Sequence, residues 1–223
     1  MNAQQFVEAL ADVQLASVFN PYRDRCVVHD VAEAPWLRRR NLQSYLEAIE
    51  KLGADTIWMG RDLGYRGGRR TGLALTDEAH LREMAAVYPG CAPSKATRGQ
   101  AVAERTAAEI WSFIERLKRP PLLWNVFPFH PHEADDPFTN RKFTRAELCS
   151  VTALNSILVS WLGIERVVCI GQDAATYAAD LGVEVLAVRH PSYGGVSDFR
   201  KGMTLLYPDA GTAASTQGRL ALA

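Results

Sequence analysis

The 223-residue sequence has few cysteines, no net charge and no long apolar run. Each absence narrows what the chain can be. Cys26, Cys91, Cys149 and Cys169 form no Cys-x-x-Cys pair. The sequence therefore offers neither a disulfide framework nor the spacing of a zinc or iron–sulfur site, and ordinary reduced thiols are expected. Lys plus Arg and Asp plus Glu both count 25, so any attraction to a polyanion has to come from a local basic patch. No apolar stretch reaches the roughly 18 residues of a membrane span. The first nineteen residues carry Glu8 and Asp12 without a basic start, unlike a secretion signal, and a cytoplasmic protein without membrane contact is expected. Neither a Gly-x-x-x-x-Gly-Lys-Ser/Thr loop nor a Gly-x-Gly-x-x-Gly turn after a strand occurs, which weakens the case for a small-molecule nucleotide enzyme.

What is present is an ordinary globular composition, 48% hydrophobic and 22% charged, long enough for one α/β domain over residues 1–223. Short β-like runs occur at residues 55–60, 122–127, 166–171 and 184–190. Helical patterns lie between them: Leu42, Tyr45, Leu46, Ile49 and Leu52 share one face, as do Ile110, Phe113, Ile114 and Leu117, and Val151, Leu154, Leu158 and Trp161. This alternation predicts a three-layer α/β/α fold around a central, mainly parallel four-stranded sheet. Residues 1–51 read as a helical N-terminal part and residues 211–223 as a frayed tail.

In such sheets ligands bind beyond the carboxyl ends of the strands, and polar residues cluster there. Asp62 follows the first strand, Asn125 stands at the end of the second and His190 at the end of the fourth. After Asp62, residues 63–77 add four glycines (Gly64, Gly67, Gly68, Gly72) and three arginines (Arg66, Arg69, Arg70). A carboxylate beside a basic, glycine-rich loop suggests chemistry on a nucleotide or nucleic acid, although an arginine run is also a common solvated face. Residues 128–147 are long for a simple connection. Within them His130-Pro131-His132-Glu133 invites a metal reading. Two histidines at i, i+2 without a third placed ligand make a weak site, and a loop-shaping role is favoured. Gly171-Gln172-Asp173 reads as a structural strand–helix turn.

Taken in order, these stretches resemble the uracil-DNA glycosylase superfamily, from about residue 55 to 202. Gly60-Arg61-Asp62 is similar to the start of the family's Gly-x-Asp-Pro motif, Gly72-Leu73-Ala74-Leu75-Thr76 to its Gly-Leu-Ala-Phe-Ser, Leu122-Leu123-Trp124-Asn125 to its Leu-Leu-x-Asn, and His190-Pro191-Ser192 to its His-Pro-Ser. The segment from Asn140 to Glu147 looks like Asn-Arg-x-x-Thr-x-x-Glu of bacterial and archaeal branches. Without cysteine pairs, the chain resembles a branch that lacks an iron–sulfur cluster.

The resemblance implies a monomeric enzyme that needs neither cofactor nor metal. It would hydrolyse the N-glycosidic bond of uracil in single- or double-stranded DNA and so initiate base excision repair, working at the nucleoid. Asp62 would stabilise the sugar cation and orient water. His190 would donate to the base carbonyl, and Asn125 would read the pyrimidine edge of a flipped nucleotide. Leu75, Gly64 and Tyr65 would line the base site. Arg66, Arg69, Arg70, Ser192, Tyr193, Gly194 and Arg200 would meet the DNA.

Three departures leave selectivity open. Leu75 replaces the aromatic ring that stacks on uracil. Gly64 replaces the tyrosine that excludes thymine, and Gly194 replaces the leucine wedge, for which Tyr193 or Val196 are substitutes. Hypoxanthine, xanthine or mismatched thymine are therefore alternative substrates, and a small-molecule nucleotide hydrolase or a non-catalytic damage-binding module are alternative classes.

Overall fold

A computed structural model of the chain describes residues 1–211. The elements run α1 (Ala3–Asp12), β1 (Val18–Phe19), α2 (Ala34–Leu52), β2 (Thr56–Asp62), α3 (Gly68–Thr71), α4 (Leu81–Val87), α5 (Arg105–Ile114), β3 (Leu122–Phe127), β4 (His130–Pro131), α6 (Arg145–Leu162), β5 (Arg166–Ile170), α7 (Gln172–Ala178), β6 (Glu184–Val188), α8 (Val196–Leu206) and α9 (Pro208–Gly211). Short 3-10 turns occupy Glu78–His80 and Ala179–Leu181. The expected tail at 211–223 lies, beyond its first residue, outside the described residues.

The central sheet has the order β3-β2-β5-β6, and all its pairs are parallel. Consecutive residues on β2 (Ile57, Trp58, Met59), all of β3, and Val167 to Ile170 on β5 are buried. Since neighbouring side chains point to opposite faces, both faces of the sheet are covered. This is the expected fold class. Chain order reverses at β2, which has β3 on one side and β5 on the other, so the crevice beyond its carboxyl end is a topological switch point.

Local signals explain several helix ends. Asn2 and Gln5 close α1 with a reciprocal capping box, and Thr144 and Glu147 do the same for α6. Gly53 and Gly163 end α2 and α6 in the left-handed conformation. The Asn140-to-Glu147 motif thus has a structural component. Arg141 also pairs with Glu147 (Nη2 to Oε1, 2.6 Å) and donates to the carbonyls of Ser17 and His132, tying the long loop to β1 and its antiparallel partner β4. His130 is buried, with its pKa pushed down to about 3 by burial, then by the nearby Arg69 charge. Its Nε2 lies 2.8 Å from the Thr139 carbonyl and 3.2 Å from Asn140 Oδ1, which is the geometry of a loop-shaping histidine.

The arginines at 69 and 70 require a correction. Both are buried. Arg69 lies over the rings of Phe19 and Phe138 and donates to the Pro137 carbonyl. Arg70 pairs with Glu78 at 3.1 Å and donates to Thr97 Oγ1. Neither is placed to hold a phosphate, because each would have to leave protein partners it already satisfies. Beneath them Arg38 makes a two-pronged pair with Asp30 (Nη1 to Oδ2, 2.8 Å) and donates through Nε to the Arg70 carbonyl. The Tyr22 hydroxyl and the Asn41 amide bind the Gly72 and Thr71 carbonyls. The glycine–arginine loop is therefore clamped from below.

Both members of the Arg38–Asp30 pair are 1% exposed. Removing one leaves an uncompensated buried charge, a loss of about 3–5 kcal/mol. Asp30→Ala is expected to lower the urea midpoint accordingly. Asp55→Ala, which breaks the exposed pair with Arg119 (3.3 Å), should change stability by less than about 1 kcal/mol.

Candidate active site

Beyond the carboxyl ends of β2 and β3 lies a cavity of about 430 Å³. Gly60 and Asn125 are paired in register on the two strands. A Cβ at position 60 would overlap Asn125 Oδ1 and stand 3.0 Å from Leu75 Cδ2. Glycine is what lets the Asn125 side chain cross the strand and reach the cavity. Asn125 is 1% exposed, and its Oδ1 has no hydrogen-bond partner among the described residues. A buried acceptor left open inside a cavity is a place for a ligand donor.

Asp62 is the last residue of β2, two positions past the Gly60–Asn125 pair. Its side chain is 9% exposed. Burial raises its pKa, and the Arg61 guanidinium, 2.6 Å from Oδ2, opposes that shift. Arg61 also bonds Asp173 (3.1 Å), which Lys142 reaches at 2.8 Å. An alternating chain Asp62–Arg61–Asp173–Lys142 thus holds one buried carboxylate at the wall of the cavity.

His190 follows β6 and is seated against Gly171, whose φ of +100° favours glycine and where a Cβ would stand 3.1 Å from His190 Cβ. The backbone N–H of Ser192 donates to His190 Nδ1 at 3.1 Å. An accepting Nδ1 leaves the imidazole proton on Nε2. Burial, then the charges of Arg61 and Arg189, lower the pKa of the ring. The group offered to the cavity is accordingly a neutral N–H donor.

The cavity brings together Asp62, Asn125, His190, Leu75, Gly64, Ser192 and Tyr193 from the residues expected in the sequence. Leu75 has φ +53° and Tyr193 φ +52°, conformations that cost a non-glycine residue about 1–3 kcal/mol and concentrate at functional sites. Thr71 Oγ1 holds the Leu75 turn by donating to the Thr76 carbonyl at 2.8 Å. Tyr193 is 98% exposed at the rim.

Other expected residues fall elsewhere. Tyr65 does not line the cavity; its ring meets Phe138 and its hydroxyl accepts from Arg66. Arg66 is exposed. Arg200 is held by two hydrogen bonds to Glu109 and, like Gly194, lies outside the cavity lining. Val196 opens α8 and is half-buried. Asp173, read from sequence as structural, faces the site. Sequence reasoning missed Arg61, Glu104 and Asn140, all of which line it. Arg61, adjacent to Asp62, and Asn140, which opens the Asn140-to-Glu147 motif, carried a signal; Glu104 carried none.

No family model and no curated protein sequence matches this chain. Among solved structures, it is similar to wild-type SMUG2 of Pedobacter heparinus, with a TM-score of 0.59, 14% identity and 94% of each chain covered. At that identity the likeness establishes a shared fold.

Nitrogen-15 NMR is expected to show His190 as the neutral Nε2–H form at pH 6.5. The midpoint of its protonation should lie below the ordinary histidine value, because its pKa is depressed by burial and by the charges of Arg61 and Arg189. A protonated ring at that pH would contradict the donor geometry.

Proposed function

We propose that this chain is a DNA glycosylase that releases uracil from DNA by hydrolysis of the N-glycosidic bond. The observation that carries the reading is the open Asn125 Oδ1, buried in a cavity that also holds the Asp62 carboxylate and the His190 N–H. Uracil supplies an N3–H to the first and a carbonyl to the last. The fold shared with SMUG2 of Pedobacter heparinus is consistent with the same reading.

The chemistry follows from the charges that develop. As the bond breaks, the sugar becomes cationic and the base anionic. Asp62, ionised above its raised pKa and steadied by Arg61, stands ready to stabilise the cation and take a proton from water. A neutral Nε2–H on His190 donates to the carbonyl where negative charge collects. In a water-poor pocket such a donor is worth about 3–4 kcal/mol. Asn125 contributes its free acceptor to N3–H and, with its amide N–H, matches the adjacent O4, a pattern cytosine reverses. Bases in a duplex cannot reach these groups without flipping out. Tyr193 is the better placed of the two candidate wedges: it stands exposed at the rim, whereas Val196 is part of a helix.

The test is single-turnover base release from uracil-containing oligonucleotides. Asp62→Asn and His190→Ala are each expected to slow release by about 10²–10³-fold with unchanged melting temperature. Full activity in both would overturn the assignment.

Tyr193→Ala should slow release from duplex more than from single strands, since only a duplex has to be opened. Equal effects on both substrates would remove the wedge role.

A further inference from the structure

One polar group in the cavity has no use in the chemistry above. Glu104 precedes α5 at the helix N-cap position, yet its side chain makes no cap hydrogen bond. Its carboxyl instead reaches over the glycine loop. A Cβ at Gly64 would stand 2.9 Å from Oε1, and one at Gly67 would overlap Oε2. The backbone N–H of Glu104 is anchored to Asp77 Oδ2 at 2.5 Å. The carboxyl oxygens themselves accept no hydrogen bond and join no ion pair within 4.0 Å among the described residues. Burial, then the Asp77 charge, push its pKa up, and Arg66 opposes them. The same cavity holds the open Oδ1 of the fully buried Asn125, so both acceptors await what a ligand brings.

We infer that Glu104 sets base selectivity by turning away a pyrimidine that carries a methyl group at C5. This rests on the glycosylase reading and deepens it. With N1 attached to the sugar beside Asp62, a carbonyl at His190 and the N3–H/O4 edge at Asn125, the C5–C6 edge is the one left to face the remaining wall. Uracil presents polarised C–H groups there, which a carboxyl oxygen tolerates as weak donors. Thymine presents a methyl, which displaces water from the carboxyl without offering a hydrogen bond, and an acidic group stripped in this way is heavily penalised. Gly64 and Gly67 then have a definite function: they leave room for the carboxyl.

The experiment compares single-turnover release of uracil and of thymine, each opposite guanine in the same duplex, for wild type, Glu104→Gln and Glu104→Ala. Glu104→Ala should raise thymine release relative to uracil at least tenfold. The isosteric Glu104→Gln should fall between it and wild type, and melting temperatures should match. A thymine-to-uracil ratio unchanged within twofold, in variants that still release uracil, overturns the inference and leaves the glycosylase reading intact. So does equal release of the two bases by wild type. Loss of uracil release in both folded variants would make Glu104 part of the release machinery and overturn it as well. If wild type releases no base at all, the glycosylase reading itself fails and this inference with it.

Discussion

The pairing of Gly60 with Asn125 is the contact on which the rest of the site depends. Parallel strands fix which residues stand opposite each other, and here a residue without a side chain faces one with an amide. The amide crosses into the gap and becomes the floor of the cavity. Asp62 is then carried two residues beyond, at the mouth of the same strand, and Leu75 closes over Gly60 from the following loop. A shift of one residue in this register would turn each of these groups to the other face of the sheet.

Around that contact the protein arranges charge by burial. Asp62, Glu104 and His190 all have pKa values displaced toward their neutral forms, with desolvation the leading cause in each. Arg61 partly restores the charged form of Asp62 and further depresses His190. One guanidinium therefore favours a carboxylate on one side of the cavity and a neutral donor on the other. The separation of roles the chemistry needs is achieved by placing one cation between two titratable groups. A second set of buried charges, Arg38 with Asp30 and Arg70 with Glu78, has a different task. It ties the loop at Arg70 to α2 and to the turn at Glu78.

The fold and the floor of the site were legible because each signal was local. An apolar run followed by a polar residue marks a strand end, and Asp62 and His190 stand at or just past such ends. Asn125, expected at one, lies inside β3, which runs on through Val126 and Phe127 because their apolar side chains stay buried. Capping residues at Asn2 and Thr144 and terminal glycines at 53 and 163 are equally local. What the chain did not disclose depends on distant partners. Arg69 and Arg70 look like a phosphate cradle until Phe19, Phe138 and Glu78 arrive from elsewhere to bury them. Glu104 follows Gly64 by forty residues and shows no motif, and the facing of Asp173 onto Arg61 requires the pairing of β2 with β5. The two-residue strands β1 and β4 are too short for any periodicity to reveal.

The central claim is that Asn125, Asp62 and His190 surround an extruded uracil. The most direct measurement is a crystal structure of the slow Asp62→Asn variant with a uracil-containing duplex. The base should lie in the cavity with N3–H on Asn125 Oδ1, a carbonyl at His190 Nε2 and its C5 edge toward Glu104. A uracil that remains stacked in the helix, or that binds outside this cavity, would contradict the account.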